Sequence, residues 1–286
     1  RRHKFHGLYG IINGTCNFIL TEMTRKSCSF KKALQEAQKR GFAETNPTLD
    51  INGMDSAHKL AILIYLALGK SIKPEQIHTE GITHISHVDI EHAESLNLTI
   101  KLLAIAKRVN NEIEAKVHPT LISKDHPLSS ISGIYNAIYL NTEPLGNILL
   151  SGEGAGQMAA ASGVLSDLIN LSTNPKEAPS NLLGNVVHEQ PKLKLRKIDL
   201  IRTKFYLRFM ATDKPGVLSK ISGILGKHGI SIDSVNQKIH SHASAVPVVM
   251  ITHFAPEKMV RLALDKIYKL AIVKSRPVAI RMEKLQ

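Results

Sequence analysis

Four residues able to carry charge or move a proton fall within sixteen positions: Glu44, Asp50, Asp55 and Lys59, in the stretch AETNPTLDINGMDSAHKL. The apolar run LAILIYLALG follows at once. A primary amine at the mouth of so apolar a segment is costly unless it is paired or used. An ammonium group there can protonate an oxygen on which negative charge develops, as when a carbonyl is reduced. Carboxylates in the loop just ahead suit a ligand that carries an ammonium group. Asp55 and Lys59 are four apart, acid first, the favoured order for a helical pair. Asp55 in the first turn also faces the positive end of the helix dipole. The bland alternative is an exposed ion pair with no task. It leaves unexplained why the pair stands against the most apolar run in the chain.

The elements that must position these groups are legible as patterns. Thr15 is a candidate N-cap for a first helix reaching about Arg25. Ser29 can cap a second, in which Phe30, Ala33, Leu34 and Ala37 share one face. Gly41 stands where a left-handed C′ residue is expected. NPT and NG mark an irregular loop before a third helix, from about Asp55 to Leu68, which Gly69 stops. That helix is apolar all round after its first turn, which predicts burial on every side. LTIKLLAIAKR and EIEAKVHPTLI read as two strands or as a helix and a strand, and GIYNAIYL as a strand. NILLS leads through the glycine loop GEGAG (152–156) into a helix of small residues. STNPKEAPSNLLGN is turn-rich and reads as a connector.

From Phe205 the pattern is β-α-β-β-α-β, a ferredoxin-like order. Val217, Ile221, Ile224 and Leu225 form the apolar stripe of its first helix. Met259, Leu262, Ile267 and Leu270 form that of the second, which Pro256 opens at N1.

Composition narrows the class. The chain has 286 residues, a hydrophobic content of 43% and a formal net charge of +13. The basic balance fits polyanions in general. Nucleic acid is disfavoured, because Trp is absent, aromatics are 5% and no basic run is interleaved with stacking residues. Cys16 and Cys28 lack metal-like spacing and form no disulfide framework, which suits a reducing, cytoplasmic setting. No apolar run is long enough for a membrane span, and no signal-peptide pattern opens the chain. His78, His84, His87 and His92 cluster in HTEGITHISHVDIEH without cysteines or a helical HExxH. No metal site is expected there, and most of these histidines should be solvated.

The stretch AQKRGFAETNPTLDINGMDSAHK is similar throughout to the signature of homoserine dehydrogenases. Ala37, Gly41, Phe42, Ala43, Asn46, Pro47, Asp50, Gly53, Asp55 and Lys59 fill its fixed positions. GIINGTCNFIL, GEGAG and SGVLSDL extend the resemblance over about residues 7 to 171. It implies NAD(P)-dependent interconversion of aspartate semialdehyde and homoserine, in the biosynthesis of threonine, methionine and isoleucine. It implies Lys59 as proton donor and acceptor and Asp55 as the acid orienting it. By the same resemblance Glu44, with Asp50 beside it, binds the substrate amino group, and Gly14, Thr15 and Phe42 border the substrate. Gly156 then belongs to the loop that approaches the cofactor. Two departures stand out: Phe42 replaces a common tyrosine, and QMAAAS lacks the threonine usual after the glycine loop.

GEGAG has neither the G-x-G-x-x-G spacing nor a following βαβ unit, so it reads equally as a tight turn into a helix. The dinucleotide domain of the family precedes the segment that opens this chain. The resemblance therefore implies the substrate-binding and regulatory part of an enzyme, bound to NADP or NAD mainly through a domain outside it and inactive alone. DKPGVLSKISGILGKHGISI resembles an ACT domain, which implies effector contacts at Asp213, Gly216 and Asn236, with threonine as the expected effector. The resemblance also implies a homodimer or higher oligomer. The expected class is α+β: a mixed-sheet catalytic and dimerisation domain at 1–172, a linker at 173–203 and a ferredoxin-like ACT domain at 204–286. The rival reading is a non-catalytic amino-acid sensor built on the ACT-like domain.

Overall fold

The computed structural model describes residues 4–173, 193–237 and 245–285. The expected connector at 172–185 and the end of the strand ISIDSVNQKIH lie largely outside them. In chain order the strands are β1 (Lys4–Ile11), β2 (His78–Thr79), β3 (Leu98–Val109), β4 (Glu112–Ser123), β5 (Tyr135–Glu143) and β6 (Gly146–Glu153). They continue as β7 (Lys194–Leu195), β8 (Arg202–Ala211), β9 (Ile232–Gln237), β10 (Val246–Thr252), β11 (Ala255–Pro256) and β12 (Val278–Met282). The helices are α1 (Gly14–Lys26), α2 (Phe30–Lys39), α3 (Thr48–Ile51), α4 (Met54–Leu68) and α5 (His87–Ser95). They are followed by α6 (Gln157–Thr173), α7 (Val217–Lys227) and α8 (Glu257–Tyr268). The fold is mixed α+β, as expected. LTIKLLAIAKR is strand and not helix.

The chain forms two compact units, each discontinuous in sequence. The first comprises Arg1–Thr83, Lys101–His118 and Lys124–Leu195. Its strands run in the order β6-β5-β1-β3-β4, with β1 antiparallel to both β3 and β5. Ile11, Ile19, Leu20, Met23, Leu60 and Ile64 are buried in it. The cap of α1 corrects the sequence expectation: it is Asn13, whose side chain accepts from the Cys16 N–H, and not Thr15. Ser29 caps α2 as expected, accepting from Lys32 N–H. Helix α4 begins after Gly53, whose φ of +86° is open to glycine at little cost. A Cβ there would also stand 3.0 Å from Thr79 Cγ2 and 3.2 Å from the Glu80 carbonyl.

The expectation that α4 is buried all round fails. Leu60, Ala61 and Ile64 are buried, whereas Ile62 is 60% exposed and Leu66 41%. One stripe is buried, and the opposite apolar stripe is left open. Helix α6 is more extreme: Val164, Leu165, Leu168 and Ile169 are all exposed.

The second unit comprises His84–Ile100, Pro119–Ser123 and Arg196–Gln286. Its central strands run β12-β8-β10-β9, the ferredoxin-like order, and residues 120–121 of β4 pair in parallel with β12. Phe205, Leu207 and Phe209 alternate onto one face and pack with Val217, Ile221 and Leu225 of α7. For α8 the predicted stripe needs correction. Val260, Ala263 and Ile267 are its buried residues, while Met259 and Leu262 are exposed. Pro256 is the N-cap of α8, one residue before N1. Among the described residues no helix is long and apolar enough to cross a membrane.

Candidate active site

Lys59 leaves the second turn of α4 and is 46% exposed at its side chain. Its ammonium donates to Asp55 Oδ2 at 2.8 Å, one turn earlier, and to the Ile12 carbonyl at 3.2 Å. Ile12 opens the β1–α1 connection, so a carbonyl just past the end of β1 and a helix-borne carboxylate grip the lysine from two sides. Lys59 is neither stray nor buried: it is a held ammonium that solvent reaches.

Sequence reasoning missed the residue that ties the acids together. Asn13 is 5% exposed, and its amide nitrogen donates to Asp50 Oδ1 at 2.7 Å and to Asp55 Oδ2 at 2.8 Å. The usable signal was its place one residue before a helix, where asparagine is a preferred cap. Its second task depends on residues 37 and 42 positions away. Cys16 lies beside them, its thiol donating to the Asp50 carbonyl at 3.2 Å. Burial first, then the charges of Asp50 and Asp55, push that thiol well above its ordinary pKa. It stays protonated and is no nucleophile.

The other predicted residues are placed as follows. Thr15 Oγ1 donates to the Phe42 carbonyl at 2.7 Å, fastening the loop after α2 to α1. The Phe42 ring meets Phe18 edge-on with centroids 4.9 Å apart. Gly14 opens α1, and a Cβ on it would come within 2.9 Å of the Ile134 carbonyl. Glu44 is exposed on the loop between α2 and α3. Its carbonyl accepts from Gln38 Nε2 at 3.2 Å, and its carboxylate is not drawn into the Asn13 network.

A cavity of about 430 Å³ opens beside the lysine, lined by Lys59, Ile62, Leu63, Leu150, Gly152 and Gly154 among others. The open stripe of α4 is thus one of its walls, and the glycine loop is another. A Cβ at Gly154 would collide with the Asn136 amide, only 1.8 Å away. Here the loop needs glycine for close approach. Gly156, with φ of +119°, is not part of that lining, and neither are Asp50 and Asp55. An apolar-walled cavity of this size beside an ammonium group is large enough for part of a small organic ligand.

In the second unit Asp213 and Gly216 line a cavity of about 420 Å³ with Thr212 and Gln237. Gln237 Nε2 donates to Asp213 Oδ1 at 3.2 Å. Thr212 Oγ1 is buried there without a hydrogen-bond partner among the described residues. Asn236 is not part of the lining; strand neighbours face opposite sides. His92 departs from the expectation of solvated histidines: it is 3% exposed, and its Nδ1 is bonded to the Val88 carbonyl at 2.8 Å. Among the described residues no three His, Cys, Asp or Glu side chains are grouped to hold a metal ion.

Comparison with known proteins shows what the chain is similar to. The homoserine dehydrogenase family model matches residues 1–169, and the ACT domain model matches residues 205–271. A homoserine dehydrogenase of Synechocystis is 39% identical over 288 residues, covering 98% of this chain and 66% of the relative. That of Helicobacter pylori is 41% identical, covering 96% of this chain and 64% of its own length. The crystal structure of a homoserine dehydrogenase from Thiobacillus denitrificans superposes with a TM-score of 0.85 at 38% identity. It is covered over 64% of its length, and this chain over 98%. The chain thus spans about two thirds of the length of the curated relatives it matches. With a family model over its first 169 residues and relatives along nearly all of it, the chain belongs to the homoserine dehydrogenase family, which uses NAD(P), and carries an ACT domain.

Proposed function

We propose that the chain supplies the substrate site and the regulatory domain of a homoserine dehydrogenase interconverting L-aspartate 4-semialdehyde and L-homoserine. The observation that carries this reading is the Lys59 ammonium, held 2.8 Å from Asp55 at the rim of the glycine-loop cavity. A bound NAD(P)H supplies the hydride to the aldehyde carbon. Lys59 delivers a proton to the carbonyl oxygen as charge develops on it, and in the reverse direction its amine takes the hydroxyl proton. Asp55 keeps the amine aimed, and the exposure of Lys59 lets water reset its proton. Asp50 and Glu44 serve the substrate ammonium, and Gly14, Thr15 and Phe42 shape the loop around it. Gly156 approaches the nucleotide from the end of the glycine loop.

The uncovered apolar stripe of α6 supports a reading in which a further body, the dinucleotide domain, covers it. Residues 1–172 then act as the catalytic and dimerisation domain and 204–286 as the regulatory one. The enzyme works as a cytoplasmic homodimer or higher homo-oligomer. The cavity at Asp213 and Gly216, with its orphaned Thr212 hydroxyl, supports an amino-acid effector, of which threonine is the candidate. Asn236 is a further candidate contact.

The test is reduction of NAD+ or NADP+ by the intact protein with L-homoserine, set beside 4-hydroxybutyrate, which lacks the ammonium group. Turnover restricted to homoserine is expected. No turnover with either nucleotide overturns the reading.

A further inference from the structure

We infer that Asn13 is a positioning residue for the proposed reaction, dividing two carboxylates between substrate and lysine; this rests on the reading above. Its amide has two chemically different ends, and the surroundings fix which way round it sits. Oδ1 accepts the Cys16 N–H at 2.8 Å. Nδ2 sends its two hydrogens to Asp50 Oδ1 and Asp55 Oδ2. Turned over, the oxygen would face two carboxylates and the amino group a backbone N–H, three repulsive contacts in place of three hydrogen bonds. The helix cap therefore determines the amide, and the amide determines the acids.

The consequence lies in which oxygens remain. Asp55 Oδ2 is shared between Asn13 and Lys59. Asp50 spends Oδ1 on Asn13, while its backbone carbonyl is held by the Cys16 thiol. Asp50 Oδ2 has no partner among the described residues and is free for a cation. Two carboxylates this close would otherwise swing apart or compete for Lys59. Asn13 offsets their repulsion with one donor group. Its chain neighbour Ile12 holds the lysine itself through its carbonyl. Residues 12 and 13 thus form one template, one holding the base and the other the acid that aims it.

Two variants separate this role from plain capping. Asn13→Ser keeps a preferred N-cap but cannot span both acids; Asn13→Ala loses both functions. For the intact protein, Asn13→Ser should melt close to wild type yet lose about 10–100-fold in kcat/KM for homoserine, with both kcat and KM changed. Asn13→Ala should lose at least as much activity and also melt earlier. In 15N-labelled wild-type protein the Asn13 side-chain amide protons should exchange slowly. Wild-type kinetics in Asn13→Ser, with only Asn13→Ala impaired, would leave Asn13 a cap and overturn the inference. Freely exchanging amide protons would do the same. An intact wild-type protein that fails to oxidise homoserine sinks the enzymatic reading itself, a result distinct from an active wild type with an equally active Asn13→Ser.

Discussion

Arg208 grips Asp89 with two nitrogens, Nε 2.6 Å from Oδ1 and Nη2 3.0 Å from Oδ2, and both side chains are buried. Asp89 also accepts the Tyr206 hydroxyl at 3.0 Å and the Ser86 N–H and hydroxyl. Burial first, then the Asp89 charge, raise the Tyr206 phenol well above its ordinary pKa, so it remains a donor. A buried pair is costly to break from one side. Arg208→Met or Asp89→Asn alone should destabilise the second unit by about 3–5 kcal/mol in urea denaturation. The double variant should cost clearly less than the sum. Additive losses would mean that the two residues are not coupled.

Lys101 on β3 is 5% exposed, donates to the Ile131 carbonyl and stands 3.4 Å from Asn17 Oδ1. Burial, with Arg25 as the second cause, pulls its ammonium down from 10.5 to about 8. Below pH 8 both folded and unfolded chains hold the proton, and stability does not vary with this group. Between about 8 and 10.5 only the unfolded chain holds it, so stability rises with pH. Against Lys101→Met, wild type should gain about 3 kcal/mol from pH 7.5 to 10.5. Parallel stability curves for the two proteins would contradict this.

Gly53→Ala tests the seat of α4. The left-handed φ and the contacts at 3.0 and 3.2 Å should cost about 1–3 kcal/mol in thermal or urea unfolding. A variant as stable as wild type would show that this turn is relaxed.

Much of the frame was legible because it rests on local rules. Ser29, Gly41 and Gly69 punctuate helices through their own side chains or their lack of one, and the βαββαβ order shows in alternating periods. What escaped depends on distant partners. Asn13 reads as a cap candidate, and nothing local says that Asp50 and Asp55 will fold onto its nitrogen. Helix α8 carries apolar residues round more than half its girth, so spacing alone admits both Met259–Leu262 and Val260–Ala263 as the inner stripe. The sheet takes the smaller pair, which allows closer packing. Helix α4 reads as buried because the run from Leu60 to Leu68 is hydrophobic throughout, yet Ile62 on its open side lines a cavity. Lys101 passes for an ordinary strand residue, since its acceptors lie on α1 and in the 131–134 loop.

The regulatory proposal makes its own forecast. Titration calorimetry of the chain with L-threonine should give a saturable heat that Asp213→Ala weakens about tenfold, as expected for one lost charged contact. No heat with the wild-type chain would remove threonine as the effector.

The most direct measurement of the central claim compares homoserine oxidation by the intact wild-type protein and its Lys59→Ala variant. The account predicts that kcat falls about 10²–10⁴-fold, the usual share of a general acid–base group, while homoserine binding stays within about threefold because the proposed ammonium contacts are with Asp50 and Glu44. A Lys59→Ala enzyme that turns over at the wild-type rate would contradict it.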